Sequence, residues 1–209
     1  MCAPDHKALI SPAAGQQLET YLSILRKWNP AINLVSAKTL DDAWTRHFLD
    51  SAQIYHLSGS SGGHWVDMGS GAGFPGIVIA ILLKEDHPAG RVTLIEADRR
   101  KAAFLSTVVA KLDLPCTVLV DRIEAVPSQA ADWVCARALA PLKVLLGFAE
   151  QHMVGSGVAL FPKGRSYHSE IEDAREDWVF DIEILKSRTG PDGAILRIAG
   201  IGRKAGQGT

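Results

Sequence analysis

The feature that most constrains the fold is the stretch HWVDMGSGAGFPG at residues 64–76, in which an apolar strand, a glycine-rich turn and an apolar helix follow one another. Glycine tolerates positive φ angles and lets backbone N–H groups come close to a ligand. At the start of a helix, those N–H groups favour a carboxylate or a phosphate. The stretch therefore predicts a strand that leads directly into a ligand-binding turn.

Short apolar runs alternate with helical patterns after this turn, which is typical of right-handed βαβ units in a mostly parallel sheet with helices on both faces. No helical pattern separates the last two strands, which predicts an antiparallel hairpin at one edge of the sheet. We therefore predict an α/β fold around a seven-stranded sheet. The predicted strands are 64–68, 91–96, 117–120, 132–136, 157–161, 180–185 and 194–198, and the predicted helices between them are 76–85, 98–112, 141–153 and 167–178.

The residues ahead of the sheet predict a helical extension. Apolar residues recur at helical spacing from Leu18 to Trp28, and the pattern stops at Asn29-Pro30. Thr39-Leu40-Asp41-Asp42 resembles a capping box, which would open a second helix. A flexible joint, LSGSSGG, follows this helix. We divide the chain into a helical extension at 1–57, a ligand-binding domain at 58–201 and a flexible tail at 202–209.

Composition narrows the class of protein. The formal net charge of −1 argues against a protein that wraps nucleic acid in a positive surface, although a local basic rim is compatible with it. No apolar run is long enough to span a membrane, and the first ten residues lack the apolar core of a signal peptide. Cys2, Cys116 and Cys135 have no metal-ligand or redox spacing, so we expect reduced thiols in a cytoplasmic protein without a metal.

Two cofactors fit the glycine-rich turn. Gly71–Gly76 matches the G-x-G-x-x-G fingerprint of dinucleotide-binding proteins, so an NAD(P)-dependent oxidoreductase is a rival interpretation. Asp67 stands two residues before Gly69, where a carboxylate can face the ammonium group of S-adenosylmethionine but would repel a pyrophosphate. Glu96 ends the next strand and can accept the ribose hydroxyls of either cofactor. Glu124 follows the third strand and is either an adenine contact or a solvated acid.

The segment ARALAPL at 136–142 ends the fourth strand, where chemistry is expected. Enzymes that methylate exocyclic amines usually carry an Asn/Asp-Pro-Pro-aromatic signature at this place, and it is missing here. Cys135 lies among apolar residues, so we expect it in the core rather than as a nucleophile. The pattern favours an acceptor that loses no proton, such as guanine N7, with catalysis by positioning and exclusion of water.

Several polar side chains are candidates for binding or catalysis. Arg137 could bind a cofactor carboxylate, a substrate phosphate or a base edge, or could form a surface ion pair. Lys163, at the end of the fifth strand, could contact RNA phosphates or be solvated. His47 and Asp50 share one face of a helix, as a functional pair or as a satisfied pair at the domain joint. Asn33 is a further polar residue embedded among apolar ones.

Five segments together resemble a single family, the small-subunit ribosomal RNA guanine-N7 methyltransferase G, also called glucose-inhibited division protein B. The similarity runs from about residue 15 to residue 200. Its most specific part is HFLDS followed by GSGAGFPG. The segments are WNPAINLVS (28–36), RHFLDS (46–51), VDMGSGAGFPG (66–76), ARALAPL (136–142) and FPKG (161–164).

This resemblance implies a class I methyltransferase fold, which is Rossmann-like, with S-adenosylmethionine as cofactor. It also implies methylation at N7 of a guanine in the 530 loop of bacterial 16S rRNA. The partner would be 16S rRNA or an assembly intermediate of the 30S subunit, and we expect a monomer without membrane contact. A non-catalytic RNA-binding or ribosome-assembly module on the same scaffold is an alternative.

The resemblance also assigns residues. The family's Asn-Leu-Thr reads Asn33-Leu34-Val35 here, which removes one hydroxyl group. The matching positions place cofactor contacts at Gly69, Phe74, Ile123, Glu124 and Arg137. The pattern of the turn and of the next strand end adds Asp67, Gly71 and Glu96. The residues expected to grip or act on the guanine are Arg137, Lys163, Asn33, His47 and Asp50.

Overall fold

Strands and helices alternate along most of the chain, as the sequence predicts. The computed structural model describes residues 9–190 and 192–204, and the elements lie within them. The strands are β1 (His64–Met68), β2 (Arg91–Ile95), β3 (Cys116–Leu119), β4 (Ala131–Cys135), β5 (Met153–Lys163), β6 (Trp178–Lys186) and β7 (Ala194–Arg203). The α-helices are α1 (Pro12–Ile32), α2 (Ala37–Asp41), α3 (Asp50–Leu57), α4 (Gly76–Asp86), α5 (Arg99–Leu112), α6 (Leu142–His152) and α7 (Tyr167–Asp177). A π-helical turn spans Trp44–Leu49, and a 3-10 turn spans Ile123–Ala125.

The seven strands form one sheet in the order β3-β2-β1-β4-β5-β7-β6. Strands β1 to β5 run parallel, and β7 runs antiparallel to both β5 and β6. The predicted α/β class and the edge hairpin are therefore confirmed. The strand order reverses between β1 and β4, and open parallel sheets bind ligands at the carboxyl ends of their strands at such a point.

Two apolar cores cover the two faces of the sheet. Helices α6 and α7 bury their apolar sides on one face, around Leu145 and Ala174. On the other face, Leu18 and Tyr21 of α1 share a core with Ile77 of α4 and Phe104 of α5. The helical extension is thus packed directly on the ligand-binding domain, and the division of the chain at residue 57 stays a prediction.

Helix α1 continues past the predicted stop at Asn29-Pro30 and ends at Ile32. Proline lacks the N–H that an interior helical position donates, so it normally ends a helix. Here Pro30 lies in the last turn, and the backbone N–H of Asn33 still donates to the Asn29 carbonyl at 2.9 Å. Because only this final turn is affected, the helix tolerates the proline.

The second helical segment begins earlier than predicted and is interrupted. Ser36 caps α2, with its hydroxyl accepting from the backbone N–H of Thr39 at 3.2 Å, so the predicted cap at Thr39 is wrong. The helix ends at Asp41, and the π-helical turn then leads into α3. A π-helical turn inserts one residue into the helical repeat, and such turns occur frequently at functional sites.

The predicted tail begins too early. Gly202 and Arg203 belong to β7, where Arg203 pairs with Trp178 at the start of β6. The guanidinium of Arg203 also lies over the Trp178 ring, 3.9 Å from its centroid, which stabilises this strand end. Residues 205–209 of the predicted tail lie outside the described residues.

The predicted core position of Cys135 is confirmed, because its side chain is fully buried. Cys135 and the half-buried Cys116 are free thiols, and Cys2 lies outside the described residues. Within 9–190 and 192–204, no helix is long and apolar enough to cross a membrane. The same residues contain no group of three or more His, Cys, Asp or Glu side chains that could hold a metal ion.

Candidate cofactor and acceptor site

A cavity of about 660 Å³ opens at the carboxyl ends of β1 to β4, where the strand order reverses; we call it the first cavity. The glycine turn forms its floor, and Gly69, Gly71 and Phe74 line it. Leu34 and Val35, from the loop between α1 and α2, line it on another side. The N-terminal helices therefore contribute to the same cavity as the sheet.

Glu96 lies at the end of β2, lines the first cavity and is 8% exposed. Its carboxylate accepts hydrogen bonds from the backbone N–H of Gly71 at 2.7 Å and of Asp98 at 2.8 Å. These bonds fix the glycine turn against the start of α5. Each carboxylate oxygen has a further lone pair, so the side chain can still accept hydroxyl groups of a ribose.

The 3-10 turn after β3 brings Ile123 and Glu124 to the cavity. Ile123 is buried, and its carbonyl lies 3.0 Å from Nε2 of the buried His152 on α6. Glu124 is exposed and pairs with Arg122, whose Nε lies 2.8 Å from Oε1. The turn thus offers an apolar surface and a carboxylate at the place predicted for adenine, and their role as cofactor contacts stays a prediction.

Asp67 does not face the cavity, so the expectation that it meets a ligand ammonium is wrong. The side chain is fully buried beneath the turn, and Oδ2 accepts from the backbone N–H of Gly76 at 3.1 Å. Gly76 begins α4, so the carboxylate occupies the favourable N-terminal end of that helix. Burial is nevertheless the largest influence and raises the pKa of Asp67 to about 6. Asp67 therefore supports the turn from below.

This buried carboxyl predicts a pH-dependent stability. Because the pKa of Asp67 is raised by burial to about 6, the neutral form stabilises the fold at low pH, and this contribution is lost as pH rises from 4 to 7. The Asp67→Asn variant cannot titrate. We expect the free energy of unfolding of the parent protein to fall by about 2 kcal/mol relative to this variant between pH 4 and pH 7.

Urea unfolding of both proteins at several pH values measures this difference. Asp41→Asn, at an exposed position, serves as the matched control and should follow the parent. Parallel pH profiles for the parent and the Asp67→Asn variant would contradict the burial effect.

Arg137 joins the end of β4 to the N-terminal helices. Its guanidinium donates to the carbonyl of Arg46 at 3.0 Å, to Oδ2 of Asp50 at 3.3 Å and to Nδ1 of His47 at 3.0 Å. The same group lies 5.1 Å from the centroid of the Phe74 ring. The sequence candidates Arg137, His47 and Asp50 are thus brought together, and Arg137 lines the first cavity.

His47 contacts both Phe74 and Arg137 outside the first cavity. Its ring stacks on Phe74 with the centroids 4.6 Å apart, and its side chain is absent from the lining of the first cavity. Burial, followed by the charge of Arg137, lowers the pKa of His47 to about 4. The ring is therefore neutral at pH 7, and because Nδ1 accepts from Arg137, the proton is on Nε2. We assign His47 a positioning role, which corrects its expected contact with the guanine.

Asn33 is exposed at the C-terminal end of α1, with a left-handed φ of 49°. Its neighbours Leu34 and Val35 line the first cavity, whereas Asn33 does not. The side chain of Asn29 fixes this loop by bonding both the N–H and the carbonyl of Val35. Asn33 caps the end of α1 through its backbone N–H, its side chain is exposed, and its expected grip on the acceptor stays a prediction.

A second cavity, of about 740 Å³, adjoins the first. The four residues Arg137–Ala140 line both cavities, and we call them the shared segment. The side chain of Leu139 lies on the glycine turn, since a Cβ added to Gly69 would be 2.6 Å from Leu139 Cδ1. The position and conformation of the shared segment therefore affect both spaces.

Lys163 lines the second cavity rather than the outer surface, since its side chain is 9% exposed. Its Nζ donates to the carbonyl of Ala140 at 2.9 Å and to Oε2 of Glu170 at 2.7 Å. Glu170 also accepts from the backbone N–H of Leu142, the first residue of α6, at 2.9 Å. Lys163 thus fixes the end of the shared segment, and the sequence pattern gave no sign of its partner Glu170.

Tyr21 is a second residue that sequence reasoning missed at the site. Its hydroxyl donates to the carbonyl of Ala72 in the glycine turn, and the side chain is fully buried. The helical spacing of α1 correctly predicts that Tyr21 is buried. The spacing does not reveal the bond to the turn, which depends on how α1 packs against α4 and α5.

Comparison with known proteins resolves the choice between the two cofactors. The family model described as "GidB: rRNA small subunit methyltransferase G" matches residues 14–191. The chain belongs to this family. The resemblance noted in the sequence is therefore confirmed over most of the chain. The protein is a methyltransferase, and S-adenosylmethionine, rather than a dinucleotide, is its cofactor.

Relatives that match over most of their own length carry the same family name. The ribosomal RNA small subunit methyltransferase G of Ruegeria sp. is 46% identical over 188 residues, which cover 90% of this chain and 91% of the relative. The protein of the same name from Rhodospirillum centenum is 49% identical over 186 residues, covering 88% of this chain and 83% of the relative. Membership of the methyltransferase G family thus extends over both the N-terminal helices and the sheet.

The fold is shared more widely than the sequence. A TehB-like SAM-dependent methyltransferase from Corynebacterium glutamicum superposes with a TM-score of 0.56 at 13% identity, covering 88% of this chain and 98% of that one. The predicted class I methyltransferase fold is therefore confirmed. The cavity residues fit the cofactor of this fold, with glycine backbone at the turn, a buried carboxylate after β2 and an apolar surface after β3.

Proposed function

We propose that this protein transfers a methyl group from S-adenosylmethionine to N7 of a guanine in the 530 loop of 16S rRNA. The observation that carries the proposal is the chemistry of the shared segment, which reads Arg-Ala-Leu-Ala where amine methyltransferases carry a proton-accepting signature. Guanine N7 has a free lone pair and loses no proton on methylation, so it needs no such group. The names of the relatives support small-subunit rRNA as the target.

Different residues of the first cavity would bind different parts of the cofactor. Glu96 would accept the ribose hydroxyls, and Ile123 and Glu124 would hold the adenine. Gly69 and Gly71 would present backbone to the amino-acid end, with Phe74 beside them. When bound, S-adenosylmethionine supplies an activated methyl group on a positively charged sulfur.

The protein's own contribution is positioning and exclusion of water. Arg137 is held by Asp50 and His47, so its charge stays on the side of the N-terminal helices. The unprotonated nitrogen of His47, Nδ1, accepts from Arg137, and burial lowers the pKa of the ring to about 4, so we expect no proton transfer to His47. A bound base aligned by the shared segment reacts through its own lone pair, and alignment of this kind accelerates reactions strongly.

The substrate is proposed to be 16S rRNA within an assembly intermediate of the 30S subunit. The net charge of −1 provides little attraction for free RNA, so the assembling particle would supply part of the affinity. The protein would act as a monomer in the cytoplasm, where ribosomes are assembled.

Incubation with labelled S-adenosylmethionine and either free 16S rRNA or 30S particles tests the proposal. We expect label at N7 of one guanine, with particles preferred over free RNA. Absence of label at any guanine N7 would instead favour a non-catalytic RNA-binding or assembly module on this scaffold.

Glu96→Ala should weaken binding of S-adenosylhomocysteine about 10- to 100-fold, because it removes a charged acceptor for the ribose hydroxyls and the support of Gly71. Lys163→Ala, in the second cavity, should reduce methylation much more than it reduces affinity for S-adenosylhomocysteine. Calorimetric titration of both variants checks the pair. Equal loss of cofactor affinity in the two variants would contradict the assignment of the cavities.

A further inference from the structure

The second cavity adjoins the cofactor cavity along the shared segment. It is bounded by the shared segment, by the end of β5 at Pro162 and Lys163, and by α7. Its volume of about 740 Å³ is comparable with the 660 Å³ of the first cavity. Because donor and acceptor must meet in one place, the space that shares Arg137–Ala140 with the cofactor cavity is suited to the target base.

One hydrogen-bond donor in this cavity is held in a fixed position. The Lys163 ammonium is nine-tenths buried and uses two of its N–H groups on Ala140 and Glu170. An ammonium has three N–H groups, so one is left for a ligand. Glu170 is itself bonded to the backbone of Leu142 and holds Lys163. The ammonium nitrogen that carries the remaining N–H therefore has a fixed position.

A carboxylate without a partner among the described residues lines the same cavity. Asp173 follows Glu170 by three residues on α7, which places the two on one side of the helix. Its side chain is exposed and has no hydrogen bond or ion pair with any residue in 9–190 or 192–204. An unpaired carboxylate at this place can accept hydrogen bonds from donors on a bound base.

The Lys163 donor and the Asp173 acceptor are complementary to the hydrogen-bonding edge of guanine but not to that of adenine. Guanine presents the O6 acceptor next to the N1–H and N2–H donors, whereas adenine presents an amino donor next to the N1 acceptor. We propose that the second cavity takes the target base, with Asp173 accepting N1–H and N2–H and Lys163 donating to O6. Guanine N7 takes no part in these bonds and stays free for methylation. This inference rests on the proposed function and adds the residues that select the base.

Particles reconstituted with inosine at the target position test Asp173 directly, because inosine lacks only the N2 amino group. The parent protein should methylate guanine with a kcat/KM about 10- to 100-fold above that for inosine, since a hydrogen bond to a charged acceptor is lost. Asp173→Ala should reduce this ratio to about 3 or less, because a water-exposed amino group contributes little. Affinity for S-adenosylhomocysteine should be unchanged, which shows that the variant is folded.

Glu172→Ala is the matched control, since it removes the same charge from the adjacent exposed position of α7, which does not line the cavity. It should keep the parent's ratio between guanine and inosine. If Asp173→Ala also keeps that ratio while the parent methylates N7, base selection by Asp173 is wrong and the proposed function stands. If the parent labels no guanine N7, the proposed function itself fails.

Discussion

Arg137→Ala should reduce methyl transfer about 100-fold and lower the free energy of unfolding by about 3 kcal/mol. The substitution leaves the Arg46 carbonyl, the Asp50 carboxylate and Nδ1 of His47 without their shared donor. It also removes the cation from the Phe74 ring at the edge of the glycine turn. Because Arg137 lines both cavities, the acceptor would lose its alignment together with the stability.

The Arg137→Lys variant tests whether the positive charge of Arg137 is sufficient or its guanidinium geometry is needed. A lysine keeps the positive charge but cannot reproduce the planar fork that donates in three directions, so most of the loss should remain. Arg91→Ala, at the exposed amino end of β2, is the control and should leave both quantities unchanged. The measurements are single-turnover methylation of 30S particles and urea unfolding. Full activity in Arg137→Lys would show that charge alone matters at this position.

Gly73→Ala should destabilise the protein by about 3 kcal/mol or more and abolish cofactor binding. A Cβ at this position would lie 2.5 Å from Ile77 Cγ1 and 2.8 Å from the Tyr21 hydroxyl oxygen, and the φ of +90° is itself unfavourable for alanine. Ile77 and Tyr21 are fully buried, so neither can move aside. The strain would be relieved only by displacing the turn from α1 or α4.

Gly71→Ala is the matched comparison two residues earlier in the same turn. Its φ is +56°, but the nearest atom to an added Cβ is the Gly69 carbonyl oxygen at 3.8 Å. We therefore expect only the backbone cost of about 1 kcal/mol. Urea unfolding and titration with S-adenosylhomocysteine measure both variants. Similar losses in the two would show that backbone conformation, rather than packing against α1, limits the turn.

Features that depend on local chemistry were predictable from the sequence. Strand β1 has the predicted bounds, 64–68, because an apolar run meets a glycine turn abruptly. Helix α4 begins at the predicted Gly76 for the same reason. The β6–β7 hairpin follows from the missing helix between the last two strands. The general position of the cofactor cavity then follows from the parallel order of the sheet.

Features that depend on packing between distant segments were not predictable. Asp67 has the position of a ligand contact in the sequence, but its carboxylate folds under the turn to the N–H of Gly76. His47 resembles a catalytic residue until Phe74 and Arg137 are seen to cover it. Glu170 and Asp173 lie on α7, whose charged pattern is typical of a solvated helix. Only the tertiary fold reveals that this helix borders a cavity.

With the acceptor in the second cavity, as proposed, residues Arg137–Ala140 would also link the two ligands thermodynamically. Any rearrangement of this segment that one ligand favours changes the binding free energy of the other, and the effect is the same in both directions. If the methyl donor makes the enzyme bind its ribosomal target more tightly, the target must raise affinity for the donor by an equal factor. Departure of either product after methyl transfer would then weaken the binding of the other by the same factor.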